Sequence, residues 1–390
     1  LTPQGLMSVA DAAAWQMLAI RKIREMLPEH PGNPNAYVLL GLCYNTLLEL
    51  DLSVYLIAKP EPGTPRNIRV RRFLREHRIR YLQVIAALNQ ALLANPNEEV
   101  AHFHLYRWYR SRGNWDLTLR HLRKLDELLE GDEDGSLQRQ QEIVQLEQRV
   151  ENMKDELNRL RINPLPAAPS ERAGLALDAG FPALAMEELG EFSLAALESG
   201  PLYVMLCLET GQHEKAVDPL ENLRDAEVFE QGQWEEIMGT VRLLQGNYDL
   251  AAESWKTALQ SKQYSSAAEF LHGAGIVIPQ WPQFGTPIDA GQLQGPALPL
   301  ANSAAKLMEQ IPFERASGNA LIGLAYLETP YVDRAAAPIQ KALELYPDHP
   351  LRPIYTYYLT RLTGEELDPL PPSEYIEPEF APEPTELSSQ

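Results

Sequence analysis

Seven arginines fall within fifteen residues: Arg66, Arg69, Arg71, Arg72, Arg75, Arg78 and Arg80, opposed only by Glu76. Arginine is the side chain best suited to bidentate pairing with carboxylate or phosphate. Ile68, Phe73, Leu74, Ile79 and Leu82 give the segment an apolar side, and the helical pattern runs on through Tyr81, Val84, Ile85, Leu88 and Leu92 to Pro96. On that pattern Arg69, Arg72 and Arg80 spread over a broad positive face. Three readings compete for it. The arginines satisfy acidic residues of the same chain such as Asp126–Asp134, or receive an acidic protein partner, or bind a phosphate polymer or anionic lipid surface. Without interleaved stacking aromatics the run does not match a base-reading surface.

Other candidates for chemistry are thin. His102 and His104 are two apart on a helical pattern and point to different faces, which is wrong for shared metal ligation. His121 can neighbour His102 across a helical hairpin, yet no carboxylate or Cys completes a ligand set, so neither a metal nor a cofactor is expected. There is no glycine-rich phosphate loop, no Gly-x-Ser-x-Gly elbow and no His-Glu-x-x-His. Gly273-Ala274-Gly275 lacks a preceding strand. The two cysteines, Cys43 and Cys207, sit far apart in apolar helix-like runs and read as small core residues. That suits a reducing, cytoplasmic setting, unless sequence upstream of Leu1 carries an export signal or tether.

The elements that would position these residues follow from the composition. In 390 residues, 45% hydrophobic and 23% charged residues describe a folded chain, and 34 Lys+Arg against 54 Asp+Glu leave a formal charge of −20. A protein coating nucleic acid would carry the opposite balance. The longest nearly uncharged stretch, residues 270–305, is broken by five prolines, so no membrane-spanning helix is expected.

Repeats organise the rest. In 316–349 a first helix carries Ile322-Gly323 and Tyr326, a second carries Ala335, Ile339 and Ala342, and Pro347 ends it. Gly323, Ala335 and Ala342 allow two antiparallel helices to approach closely. The frame recurs around 232–264 (Met238-Gly239, a turn at Gly246-Asn247-Tyr248, then Ala251, Trp255 and Ala258). It recurs around 99–130 (Leu105, Tyr109, a turn at Gly113-Asn114-Trp115, Leu122). Around 34–60, Tyr37, Leu40-Gly41 and Tyr44 fit a first helix, with Ser53 and Ile57 in a second. Weaker copies turn at Gly180 and Gly211. These residues and spacings resemble the tetratricopeptide repeat, a 34-residue helix–turn–helix. The resemblance implies an all-α fold of such repeats stacked into a right-handed α-solenoid, whose extended surface suits macromolecular recognition rather than catalysis.

Several segments depart from the repeat. Ile143, Leu146, Val150, Met153, Leu157 and Leu160 step by three and four residues, a coiled-coil-like long helix over 136–162 that packs within the chain or pairs with a partner helix. The Pro-rich linker 163–169 marks a boundary between N-terminal repeats (1–135) and C-terminal repeats (170–364). An inserted loop at 277–298, rich in Pro and Gly, contains Trp281 and Phe284, which cover a solenoid edge or anchor a partner. The opening helix, about 8–27, reads as an unpaired second helix, and 351–362 as a cap. The tail 365–390 has eight acidic residues, no basic ones and six prolines, and is expected to be disordered.

The expected function is therefore a non-catalytic scaffold or adaptor that holds one or more proteins within a larger assembly. Arg69, Arg72, Arg75 and Arg78 are candidate partner-binding residues, with Trp281 and Phe284 as anchors. Phe103, Arg107 and Arg110 lie on the flank that faces the concave groove in proteins this chain resembles, where an acidic peptide or a helix would bind. The carboxylate clamp of chaperone-binding family members is not evident at 37–46, 236–243 or 319–327. Alternatives are the interaction domain of a longer enzyme or membrane protein, or a binder of an anionic polymer or membrane surface through Arg66–Arg80. Neither the partner's identity nor the oligomeric state follows from the sequence.

Overall fold

The computed structural model describes residues 3–57, 75–129, 133–163, 166–190, 199–229, 231–260, 315–347, 349 and 351–363. Among these the chain is all-helical, with no strand. Arg69, Arg72, Trp281, Phe284, the 277–298 insertion and the acidic tail lie outside the described residues.

The first half contains α1 (Pro3–Met26), α2 (Pro34–Ile57), α3 (Arg75–Ala94), α4 (Glu99–Arg112), α5 (Trp115–Leu128) and α6 (Glu133–Ile162). It continues with α7 (Pro169–Asp178), α8 (Pro182–Leu189), α9 (Gly200–Glu209), a 3-10 turn His213–Ala216, α10 (Val217–Asp225), α11 (Gln231–Leu244) and α12 (Tyr248–Gln260). Last come α13 (315–327), a second 3-10 turn Val332–Ala335, α14 (Ala336–Leu345) and α15 (Arg352–Thr363). No described helix is long and apolar enough to cross a membrane.

Helix ends follow from glycine placement. Gly113, Gly180, Gly211 and Gly246 all have positive φ, between 70° and 87°. In each case the next N–H reaches back to a carbonyl of the last helical turn: Asn114 to Tyr109 at 3.0 Å, Phe181 to Ala176 at 2.8 Å, Gln212 to Cys207 at 2.7 Å, Asn247 to Arg242 at 2.8 Å. This 6→1 closure needs a left-handed residue, which glycine supplies at least cost, although Glu227 (φ 53°) makes the same closure from Val228 to Leu223 at 3.0 Å. Close approach uses a different glycine. A β-carbon on Gly323 would stand 2.4 Å from Ile339 Cγ1, so α13 and α14 can touch only with hydrogen there.

Three expectations change. The frame around 34–60 is not a hairpin over its described part, because α2 runs unbroken from Pro34 to Ile57 and no Gly, Pro or polar cluster interrupts Leu47–Val54. Its partner is α3 instead. The opening helix is not unpaired: α1 packs on α2 and also on α15. Tyr357 Oη donates to Asp11 at 2.5 Å, and Arg21 Nη2 donates to the Leu327 carbonyl at 3.0 Å. The first and last described helices therefore meet, and the face of α15 that carries buried Tyr355 and Tyr358 is covered rather than a free polar cap.

The long helix α6 buries its seam within the chain. Leu146, Val150, Met153 and Leu157 share a core with Leu119 and Leu122 of α5 and with Ala173, Ala176, Phe181, Leu184, Met205 and Leu206. That core spans both sides of 163–169. Arg172 Nε meets Glu188 Oε2 at 2.6 Å, and Arg161 from the end of α6 binds the same carboxylate. The Pro-rich run thus joins elements of one shared core, rather than spacing two separate ones.

Candidate functional site

The outward flank of α4 carries the sequence-derived candidates that can be placed together. Spacing of i, i+4 and i+7 puts Phe103, Arg107 and Arg110 on one face. Phe103 and Val100 are each 43% exposed. The Arg107 guanidinium lies 5.6 Å from the Phe103 ring centroid, and His104 meets the same ring edge-on. Arg110 Nε pairs with Glu142 Oε1 of α6 at 2.8 Å while remaining half exposed. On this flank Phe103 is bordered by the Arg107 cation, while Arg110 is paired with Glu142 and lies over the Tyr106 ring.

Arg78 is placed elsewhere, near the start of α3, and Arg75 begins that helix. Arg80, expected on an exposed positive face, is 2% exposed. The correction has a clear cause. Arg80 Nη1 pairs with Glu328 Oε1 at 2.7 Å, so the charge is spent on a carboxylate 248 residues away. Burial opposes Arg80's charge, but Glu328 and Asp51 beside it outweigh that and hold its pKa above the ordinary value.

Glu328 is the centre of a buried cluster that joins α1, α2 and α3 to the end of α13. Besides Arg80, it accepts from Tyr44 Oη at 2.7 Å and from Gln83 Nε2 at 3.0 Å. Arg24 Nη2 approaches at 3.3 Å. Helices α1, α2 and α3 thereby share one carboxylate at the end of α13. Burial pushes the Tyr44 hydroxyl well above its usual pKa, so it stays a donor.

A second buried carboxylate repeats the pattern. Glu209, 2% exposed, accepts from Tyr81 Oη at 2.9 Å, and Arg112 stacks 4.5 Å from Tyr81 and 3.7 Å from Trp108. The two acids occupy equivalent positions: Leu208-Glu209-Thr210 and Leu327-Glu328-Thr329 each end an apolar helix. Each is followed seven residues later by an alanine (Ala216, Ala335), ten later by a proline (Pro219, Pro338) and eleven later by Leu220 or Ile339. Neither acid stood out in the sequence as a site residue. The available signal was a lone acid closing a run such as Leu202–Leu208, written twice with one spacing.

Burial pushes the Glu209 carboxyl up to about 8, against the opposing pull of Tyr81, Arg78 and Arg112. Its folded pKa exceeds the ordinary 4.5, so between those values the folded state keeps a proton the unfolded chain has lost. Stability from this group is full below about 4.5 and declines as pH rises toward 8. Glu209→Gln should therefore gain on the intact chain by about 1.4 kcal/mol per pH unit from pH 5 to 8 in urea titrations. A pH-independent difference would contradict a buried neutral acid.

The histidine pair is assembled, as a hydrogen bond. His102 Nδ1 and His121 Nδ1 are 3.0 Å apart, and His102 Nε2 lies 3.0 Å from the Pro96 carbonyl. That carbonyl can only accept, so His102 donates from Nε2 and accepts on Nδ1 from His121. Both rings are then neutral and committed to each other. Among the described residues no group of three or more His, Cys, Asp or Glu is arranged to hold a metal. Burial pushes the Cys207 thiol up to about 12 and that of Cys43 upward as well, which makes both poor nucleophiles.

Comparison of the chain with protein-family models and with curated proteins finds no match.

Proposed function

We propose that this chain is a non-catalytic adaptor, built of tetratricopeptide-like hairpins stacked as a right-handed α-solenoid, that holds an acidic segment of a partner protein. The observation that carries the reading is the outward flank of α4, where Phe103 stands exposed beside Arg107. Aromatic and arginine side chains dominate binding energy at protein interfaces. An exposed phenylalanine beside an arginine suits a peptide that offers a carboxylate next to an apolar anchor.

The repeat reading is supported by the hairpins α4–α5 and α11–α12, each turned by a left-handed glycine, and by the Gly323–Ile339 approach between α13 and α14. Catalysis is not part of the proposal, because the strongly perturbed carboxyl Glu209 is buried and held by Tyr81. Buried, non-nucleophilic Cys207 suits a reducing, cytoplasmic setting.

The test is affinity capture from native lysate. The intact chain is compared with Phe103→Ala/Arg107→Glu and with Arg69, Arg72, Arg75 and Arg78 changed to Glu. A stoichiometric protein partner lost in the first variant supports the reading. Retention of that partner by the first variant, or capture of only nucleic acid or lipid, overturns it.

A further inference from the structure

The outward face of α1 carries an apolar patch that plays no part in the adaptor reading. Trp15 is 65% exposed and Leu18 43% exposed, and their i, i+3 spacing makes them neighbours on the helix surface. Tryptophan is highly buried on average, so an open indole beside an open leucine marks a contact surface.

The same stripe of α1 continues to Asp11, four residues before Trp15, and to Lys22, seven residues after it. Lys22 is largely in solvent and pairs with Glu25 at 2.6 Å. Asp11 is where α15 touches this face, since Tyr357 Oη donates to it at 2.5 Å. Arg361, exposed one turn further along α15, donates to Tyr357 Oη from Nε and Nη2 at 3.1 and 2.8 Å, and its Nη1 takes no part in that pairing. Trp15 therefore sits one helical turn, about 6 Å, along α1 from the contact with α15.

Two observations identify the occupant of the patch. The first is where the described chain ends beside it. Helix α15 stops at Thr363, two residues past Arg361, and residues 364–390 follow. Tyr375 is twelve residues beyond Thr363, a reach of up to about 40 Å. A tether of that length holds its end near the patch at about millimolar local concentration. The second is composition. Residues 364–390 hold eight acidic side chains and no basic ones, and two aromatics stand among the acids, in Glu374-Tyr375-Ile376-Glu377 and Glu379-Phe380. Aromatic rings suit an open indole, and the flanking carboxylates suit Lys22 and Arg361.

We propose that residues 374–380 dock on the Trp15–Leu18 face of α1, with Tyr375 and Phe380 as anchors and the carboxylates of Glu374, Glu377 and Glu379 directed at Lys22 and Arg361. The contact is made within one chain and is independent of the α4 flank.

Fluorine NMR on the full chain labelled with 5-fluorotryptophan tests it, with the Trp15 resonance assigned from Trp15→Phe. The readout is the change in that resonance between H2O and D2O, which is large for an indole in water and small for a covered one. A small change is expected in the intact chain, and it should stay small on dilution. In Tyr375→Ser/Phe380→Ser it should rise to that of the free amino acid. Both substitutions lie outside the described helices, so the remaining tryptophan resonances of those helices should keep their positions. A Trp15 resonance that already matches the free amino acid in the intact chain would overturn the proposal. So would one that the double variant leaves covered, or one that dilution uncovers, as a second copy of the chain on this face would produce.

Discussion

Replacing Glu328 by Gln is expected to destabilise the chain by about 3–5 kcal/mol, the cost of removing one partner from a buried ion pair. The amide keeps the shape but leaves Arg80, at 3% side-chain exposure, without its carboxylate. Arg24 and the Tyr44 hydroxyl lose their charged acceptor at the same time. The damage concentrates where α1, α2 and α3 meet α13, so hydrogen exchange should accelerate first in those helices. Changing both partners, Arg80→Met with Glu328→Met, should recover a large part of the loss, because the desolvation of two charges disappears with them. Urea titrations of the two single variants and the double variant measure the coupling. A loss under about 1 kcal/mol for Glu328→Gln would mean that the carboxylate does not close the chain.

Acid should break the His102–His121 pair next. Burial, reinforced by the neighbouring His102 and Arg120, depresses His121 to about 3. Burial likewise lowers His102. A depressed base binds fewer protons folded than unfolded, so its stabilisation is full above the ordinary 6.5 and is lost as pH falls toward about 3. Relative to His121→Asn, which still offers a donor to His102, the intact chain should lose about 1.4 kcal/mol per pH unit across that window. Glu209 titrates in the opposite sense, so the comparison has to be made between variants rather than on the intact chain alone. A flat difference between pH 6 and 4 would show that the rings are not buried as a neutral pair.

Local signals in the sequence carried the helical architecture well. Gly113, Gly180, Gly211 and Gly246 read as turns because a left-handed residue is a property of one position and its neighbours. The α6 seam was equally legible, since a 3–4 spacing needs no knowledge of its partner; that α5, α7, α8 and α9 supply it was not. Closure of α1 on α13 and α15 left no trace in any window, because the contacts join residues 306 and 346 apart. Arg80 shows the same limit from the other side. Its neighbours make it look like one of seven surface cations, while its burial is decided by Glu328 across the fold. Of the candidate site, Phe103, Arg107 and Arg110 could be grouped from helical spacing alone. Glu328 and its partners Tyr44 and Arg80 could not, because they come from three separate segments.

The adaptor reading is tested most directly by titrating the captured partner into the intact chain and into Phe103→Ala/Arg107→Glu by calorimetry at low and physiological salt. Both substitutions are on an exposed flank, so the variant should unfold with the intact chain's midpoint. Loss of at least about 2 kcal/mol of binding, roughly thirtyfold, is predicted for the variant. Weaker binding of the intact chain at the higher salt should accompany it, as expected for arginine–carboxylate pairing. Equal affinity of the two proteins at both salts would contradict an interface on α4.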